Sequence, residues 1–84
     1  MGGKLMEAID MRQRRHGYFP AEFRWRGQVW RVDHVERCWT ESRRDWRQSV
    51  QRHCFRVRCD NGRRFELYQD VRGNTWHVNP ARVR

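Results

Sequence analysis

Between Phe23 and Val32 the chain alternates apolar and charged residues on both sides of a glycine. Phe23 and Trp25 alternate with Arg24 and Arg26 before the turn, and Trp30 and Val32 alternate with Arg31 after it. Period-two alternation places successive side chains on opposite faces of a strand, so residues 22–26 and 28–39 are predicted to form a β-hairpin with an apolar and a cationic face. Apolar parity changes between Val32 and Val35, which predicts a bulge or sharp bend near Asp33-His34. Long bent strands let one sheet curl towards a small barrel.

The stretch from His53 to Tyr68 predicts the clearest hairpin, and its register can be argued. A two-residue Asn61-Gly62 loop would oppose Arg58 to Phe65 and mix the faces. A three-residue loop, Asp60-Asn61-Gly62 with Gly62 left-handed, pairs Cys59 with Arg63, Val57 with Phe65 and Phe55 with Leu67. That register buries Phe55, Val57, Phe65 and Leu67, sends Arg56, Arg58 and Arg64 outward, and permits a cross-strand pair between Arg56 and Glu66. Val71-Arg72-Gly73-Asn74 is a further turn. It leads to a strand at Thr75-Trp76-His77-Val78, which Pro80 ends because proline lacks a ladder donor.

The remaining segments are less regular. Leu5 to Met11 fits an edge strand slightly better than a helical turn, and Arg12 to Gly17 reads as a basic loop or mobile arm. Thr40 to Arg52 has no clean period and one aromatic, Trp46, and is expected to be a surface loop, a class of segment often used for binding. The whole predicts one domain over 1–84. It comprises an edge strand with its basic arm (1–17), a β core (18–80) and a tail (81–84). The fold class is mainly β, a small curled antiparallel sheet or SH3-like barrel of five to six strands.

Length and composition narrow the function. Eighty-four residues leave no room for a substrate domain beside a scaffold. Five Trp, four Phe and two Tyr supply much buried area per ordered residue, so a folded domain is expected rather than a disordered basic tail. The formal charge is +9 and the pI near 11.1, the usual footprint of a nucleic-acid or acidic partner. Lys4 is the only lysine, and so strong an arginine skew also arises from codon usage in a GC-rich genome, which would make the charge incidental. No apolar run reaches the ~18 residues of a membrane span, and no secretory signal is evident at the start. A cytoplasmic protein without membrane association is expected.

Three cysteines, Cys38, Cys54 and Cys59, form no CxxC pair and no even disulfide framework. His34 and Cys38 are four apart, and His53 precedes Cys54. In strands, however, Cys54 and Cys59 face opposite sides, so no metal site and no cofactor are expected. His34, His53 and His77 could serve a small RNase as general acid or base, although no spacing identifies a pair. The cationic candidates for phosphate contact are Arg24, Arg26, Arg31, Arg56, Arg58 and Arg64, whose plain alternative is a solvated outer face. Trp25, Trp30 and Trp76 carry core parity. Trp39 and Trp46 flank or occupy the polar loop and are the candidates for base stacking or partner docking.

The segments Phe23-Arg24-Trp25-Arg26-Gly27, Val29-Trp30-Arg31-Val32, Trp39 and Phe55-Arg56-Val57-Arg58 also carry a resemblance, together with Glu66-Leu67-Tyr68-Gln69-Asp70 and Gly73-Asn74-Thr75-Trp76. Over about residues 6–80 the chain resembles a family of small Arg/Trp-rich bacterial domains of unknown function. Such domains look similar to segments associated with translesion-polymerase subunits in actinobacteria and their relatives. The resemblance implies a single compact β-domain linked to DNA damage tolerance, and it carries over no catalytic or ligand residues.

Three functions therefore stay open. The first is a non-catalytic accessory module whose arginines bind DNA or RNA phosphates. The second is a protein-interaction domain that recruits a DNA-repair or replication protein. The third is a small basic RNase. None of them calls for a small-molecule substrate.

Overall fold

A computed structural model of the chain describes residues 6–44 and 49–84. Among the described residues six antiparallel strands follow one another, β1 (Glu7–Arg15), β2 (Phe19–Trp25), β3 (Gln28–Arg44), β4 (Ser49–Cys59), β5 (Arg64–Asp70) and β6 (Thr75–Val78), with a 3-10 turn at Pro80–Arg82. Each strand pairs with the next, and β6 returns to β1 through Glu7–Val78, Ala8–His77 and Ile9–Trp76, which closes a barrel. Closure removes the free sheet edges that would template aggregation.

Two strands turn the corners. The first residues of β3 pair with β2 up to Arg31 opposite Glu22, and from Val32 onward β3 pairs with β4. Register shifts lie between Val32 and His34 and again between Val35 and Arg37. The expected bulge is present, with a second beside it, and together they restore apolar parity after the bend. In the same way β1 pairs first with β6 and then with β2, with shifts on either side of Gln13.

The core follows the alternation. Phe23, Phe55, Val57, Phe65, Leu67 and Val78 are fully or almost fully buried, with Trp25, Trp30, Val32, Cys59 and Trp76 beside them. Phe65 is the hub of one end, meeting Trp30, Phe23 and Trp25 edge-on at centroid distances of 4.9, 5.2 and 5.7 Å. Phe55 is the hub of the other, stacked on Trp76 at 5.6 Å and met by Tyr18 at 5.4 Å. Offset and edge-on ring geometries of this kind are the favoured ones. Among the described residues, the indole nitrogen of Trp30 is the buried side-chain polar atom without a hydrogen-bond partner.

The turns agree with the residues that make them. Trp25 pairs with Gln28 across Arg26-Gly27, both with positive φ (52° and 74°), the backbone of a type I′ turn. The β4–β5 hairpin has the three-residue loop and the predicted register: Val57 faces Phe65 and Phe55 faces Leu67. Gly62 lies at φ +87° and donates its N–H to Cys59 O at 2.9 Å.

Four expectations are corrected. Arg12–Arg15 is neither loop nor arm but the second half of β1, hydrogen-bonded to β2. The bulges at Gln13 disturb its period, which is why the pattern reads as irregular. β1 is also not an edge strand, because it has neighbours on both sides. Thr40–Arg52 is not a free loop: the β3–β4 ladder continues through Thr40–His53, Glu41–Arg52 and Ser42–Gln51 to Arg44–Ser49. The tail after Pro80 is docked, since Arg64 and Arg84 exchange backbone hydrogen bonds at 2.7 and 2.8 Å. Among the described residues no helix is long and apolar enough to cross a membrane.

Candidate nucleic-acid interface

Outward-facing residues of β3, β4, β5 and β6 form rows that follow directly from the register. One row runs Trp39, Cys54, Tyr68, His77 and the next Glu41, Arg52, Asp70, Thr75. On the other side of the first row, Arg37 opposes Arg56, which opposes Glu66, and beyond it Arg58 opposes Arg64. Arginine thus dominates the half of this face nearest the β4–β5 turn.

The segment after β6 folds against that half. Asn79 Oδ1 accepts the Ala81 N–H at 3.1 Å and caps the 3-10 turn, and Pro80 occupies its first position. The Asn79 N–H donates to Glu66 O at 3.1 Å. Arg82 and Arg84 are thereby brought beside Arg56 and Arg64, and these four residues, with Phe65 and Glu66, line a recess of about 290 Å³.

Glu66 sits at the base of the recess and is only 7% exposed. It accepts hydrogen bonds from the Tyr68 hydroxyl and from Arg56 Nη2, the latter at 3.0 Å. Burial works against its charge, but those two hydrogen bonds and the nearby Arg82 and Arg56 charges outweigh it, holding the carboxyl below its ordinary pKa. Burial and the Glu66 contact push the Tyr68 hydroxyl up to about 12, so it stays protonated as a donor.

The six arginines proposed from the sequence do not form one surface. Arg24 and Arg31 project from the sheet of β2 and the start of β3, and Arg26 sits in the turn joining them. Arg56, Arg58 and Arg64 lie on the β4–β5 face. Most are paired: Arg26 with Glu7 (2.6 Å), Arg31 with Glu22 (3.4 Å), Arg56 with Glu66 (3.0 Å), Arg58 with Asp33 (3.4 Å) and Arg64 with Glu36 (3.0 Å). Arg24 has no ion-pair partner among the described residues.

Trp39 is half-buried on the same outer face. Its indole N–H donates to Glu41 Oε2 at 3.2 Å, and the Arg37 guanidinium lies 4.9 Å from its ring, so one aromatic face is already covered by a cation. Trp46 lies outside the described residues. The histidines do not converge: His53 points inward at one barrel mouth, 5.1 Å from the Tyr18 ring and bonded to Gln69 Oε1 at 3.3 Å, whereas His77 faces outward beside Thr75. Among the described residues no group of three or more His, Cys, Asp or Glu side chains could hold a metal ion.

Sequence reading missed Arg82 and Arg84. The local signal was present in Asn79-Pro80, a cap residue followed by a first-turn proline, which announces a turn rather than a frayed tail. Nothing in the residues themselves foretold that this turn would return to β5.

The pattern that defines a family described as Domain of unknown function (DUF6504) matches residues 5–82. The chain belongs to that family. The match takes in all six strands and the turn that carries Arg82, so the DUF6504 unit includes the barrel and most of the recess. No curated protein and no solved structure matches the chain.

Proposed function

We propose that this protein is a non-catalytic nucleic-acid-binding module. The observation that carries the reading is the surplus of guanidinium on one face. Arg37, Arg56, Arg58, Arg64, Arg82 and Arg84 gather there against Glu66, Glu36 and Asp33, and Arg37, Arg82 and Arg84 have no ion-pair partner among the described residues. Arginines that acids have not already neutralised are the ones that release counterions when they meet phosphates. The more exposed pairs, Arg58–Asp33 and Arg64–Glu36, contribute little on their own, so a phosphate can exchange into them without unfolding the barrel. The divergent directions of His53 and His77 support leaving out acid–base chemistry. The resemblance to domains associated with translesion-polymerase subunits supports a role as an accessory in DNA damage tolerance.

The test is fluorescence anisotropy with labelled single-stranded and double-stranded oligonucleotides at low salt. Arg82→Glu/Arg84→Glu is expected to weaken binding at least about tenfold, because each substitution removes one attractive contact and adds a repulsive one. Binding by neither strand type would sink the proposal and turn attention to a protein partner.

A further inference from the structure

We infer that the recess beside Glu66 receives a terminal phosphate monoester, the phosphorylated end of a nucleic-acid strand, rather than an internal phosphodiester. The inference rests on the nucleic-acid reading above and adds to it which part of the polymer is held. Charge is the first argument. Arg56, Arg64, Arg82 and Arg84 surround the recess, while Glu66 and Glu36 each hold one of these arginines at 3.0 Å. Counting side chains alone, four arginines against Glu66 in the recess and Glu36 beside it leave a surplus of two positive charges. A phosphate monoester near neutral pH carries about −1.5 to −2, whereas an internal diester carries only about −1.

Size and construction point the same way. A volume of about 290 Å³ lies at the small end of ligand pockets, with room for a phosphoryl group and its ester oxygen. Its walls are rigid where it matters: Arg56 is anchored by Glu66 in the floor, and the strand carrying Arg64 is clamped to Arg84 by two backbone hydrogen bonds. Arg82 and Arg84 are exposed and without ion-pair partners among the described residues, so they can turn onto an incoming anion. Guanidiniums suit this task because each presents two parallel donors to phosphate oxygens.

The experiment compares one single-stranded oligonucleotide in three forms, with a 5′-phosphate, with a 3′-phosphate and with hydroxyls at both ends, by anisotropy at fixed salt. At least one phosphorylated form is expected to bind about tenfold more tightly than the unphosphorylated strand, and the arm that does so names the end. Arg82→Gln/Arg84→Gln should abolish the preference without changing the melting temperature, since both side chains are exposed and the Arg64–Arg84 backbone bonds remain. Arg14→Gln/Arg24→Gln, which removes two charges from strands β1 and β2, should lower affinity for all three forms equally and keep the preference. Equal affinity of all three forms for the native protein would overturn the inference while leaving the nucleic-acid reading intact. Loss of the preference in the Arg14/Arg24 variant would also overturn it, by making the effect one of net charge. Failure of every oligonucleotide to bind would remove the reading itself, and binding of a phosphoserine peptide in that case would reassign the recess to proteins.

Discussion

The three thiols differ by what surrounds them. Cys38 is exposed on β3, Cys59 belongs to the core, and Cys54 faces outward but is fully buried between Trp39 and Tyr68. Burial, with the negative charge of Glu41 for Cys54 and of Asp60 for Cys59, pushes both buried thiols up to about 12. Because the thiolate is the reactive species, a disulfide reagent at pH 8 is expected to titrate one thiol rapidly in the native protein and all three in denaturant. Glu66 gives a second prediction at this scale. Its pKa is lowered in the fold, so the stabilisation it contributes is complete above the ordinary unfolded value of about 4.3 and is lost as pH falls through the lower folded value. Glu66→Gln should therefore lower the melting temperature at pH 7, through charged hydrogen bonds of roughly 1.5–3 kcal/mol each, and the gap to the native protein should narrow towards pH 3.

Among the elements, the β4–β5 hairpin is the most strongly specified. Its loop needs a left-handed residue at position 62, so Gly62→Ala should cost about 1–2 kcal/mol in a urea titration. Gly73 has no positive φ, and a Cβ there would meet only the Thr75 side chain at 3.8 Å, so Gly73→Ala should be neutral or slightly stabilising. What could be read from the chain follows from whether a strand has one buried face. Phe55, Val57, Phe65 and Leu67 alternate with polar residues because one side of β4 and β5 fills the barrel, and their register was legible. Thr40, Glu41 and Ser42 oppose His53, Arg52 and Gln51, so this part of the β3–β4 ladder has no apolar face to impose a period, and it resembled a loop. The arginines had the right parity but not the right company. Parity says that Arg26, Arg31, Arg56, Arg58 and Arg64 point outward, while only the folded pairing shows which acid each one meets.

For the molecule as a whole, net charge and useful charge are different quantities. A formal +9 spread evenly over a barrel would attract any polyanion weakly and without orientation. Here Glu7 and Glu22 pair Arg26 and Arg31 on the β2–β3 side, and the docked segment after β6 brings Arg82 and Arg84 beside Arg56 and Arg64. That concentration predicts a definite number of phosphate contacts at the recess. The measurement that tests it most directly is the slope of log affinity against log salt for the native protein and for Arg82→Gln/Arg84→Gln. Each lost phosphate contact should flatten the slope by about 0.7 on single strands or about 0.9 on duplex, so the double variant should be shallower by about 1.4 or about 1.8 respectively. An unchanged slope, with binding otherwise intact, would contradict the placement of the interface at this recess.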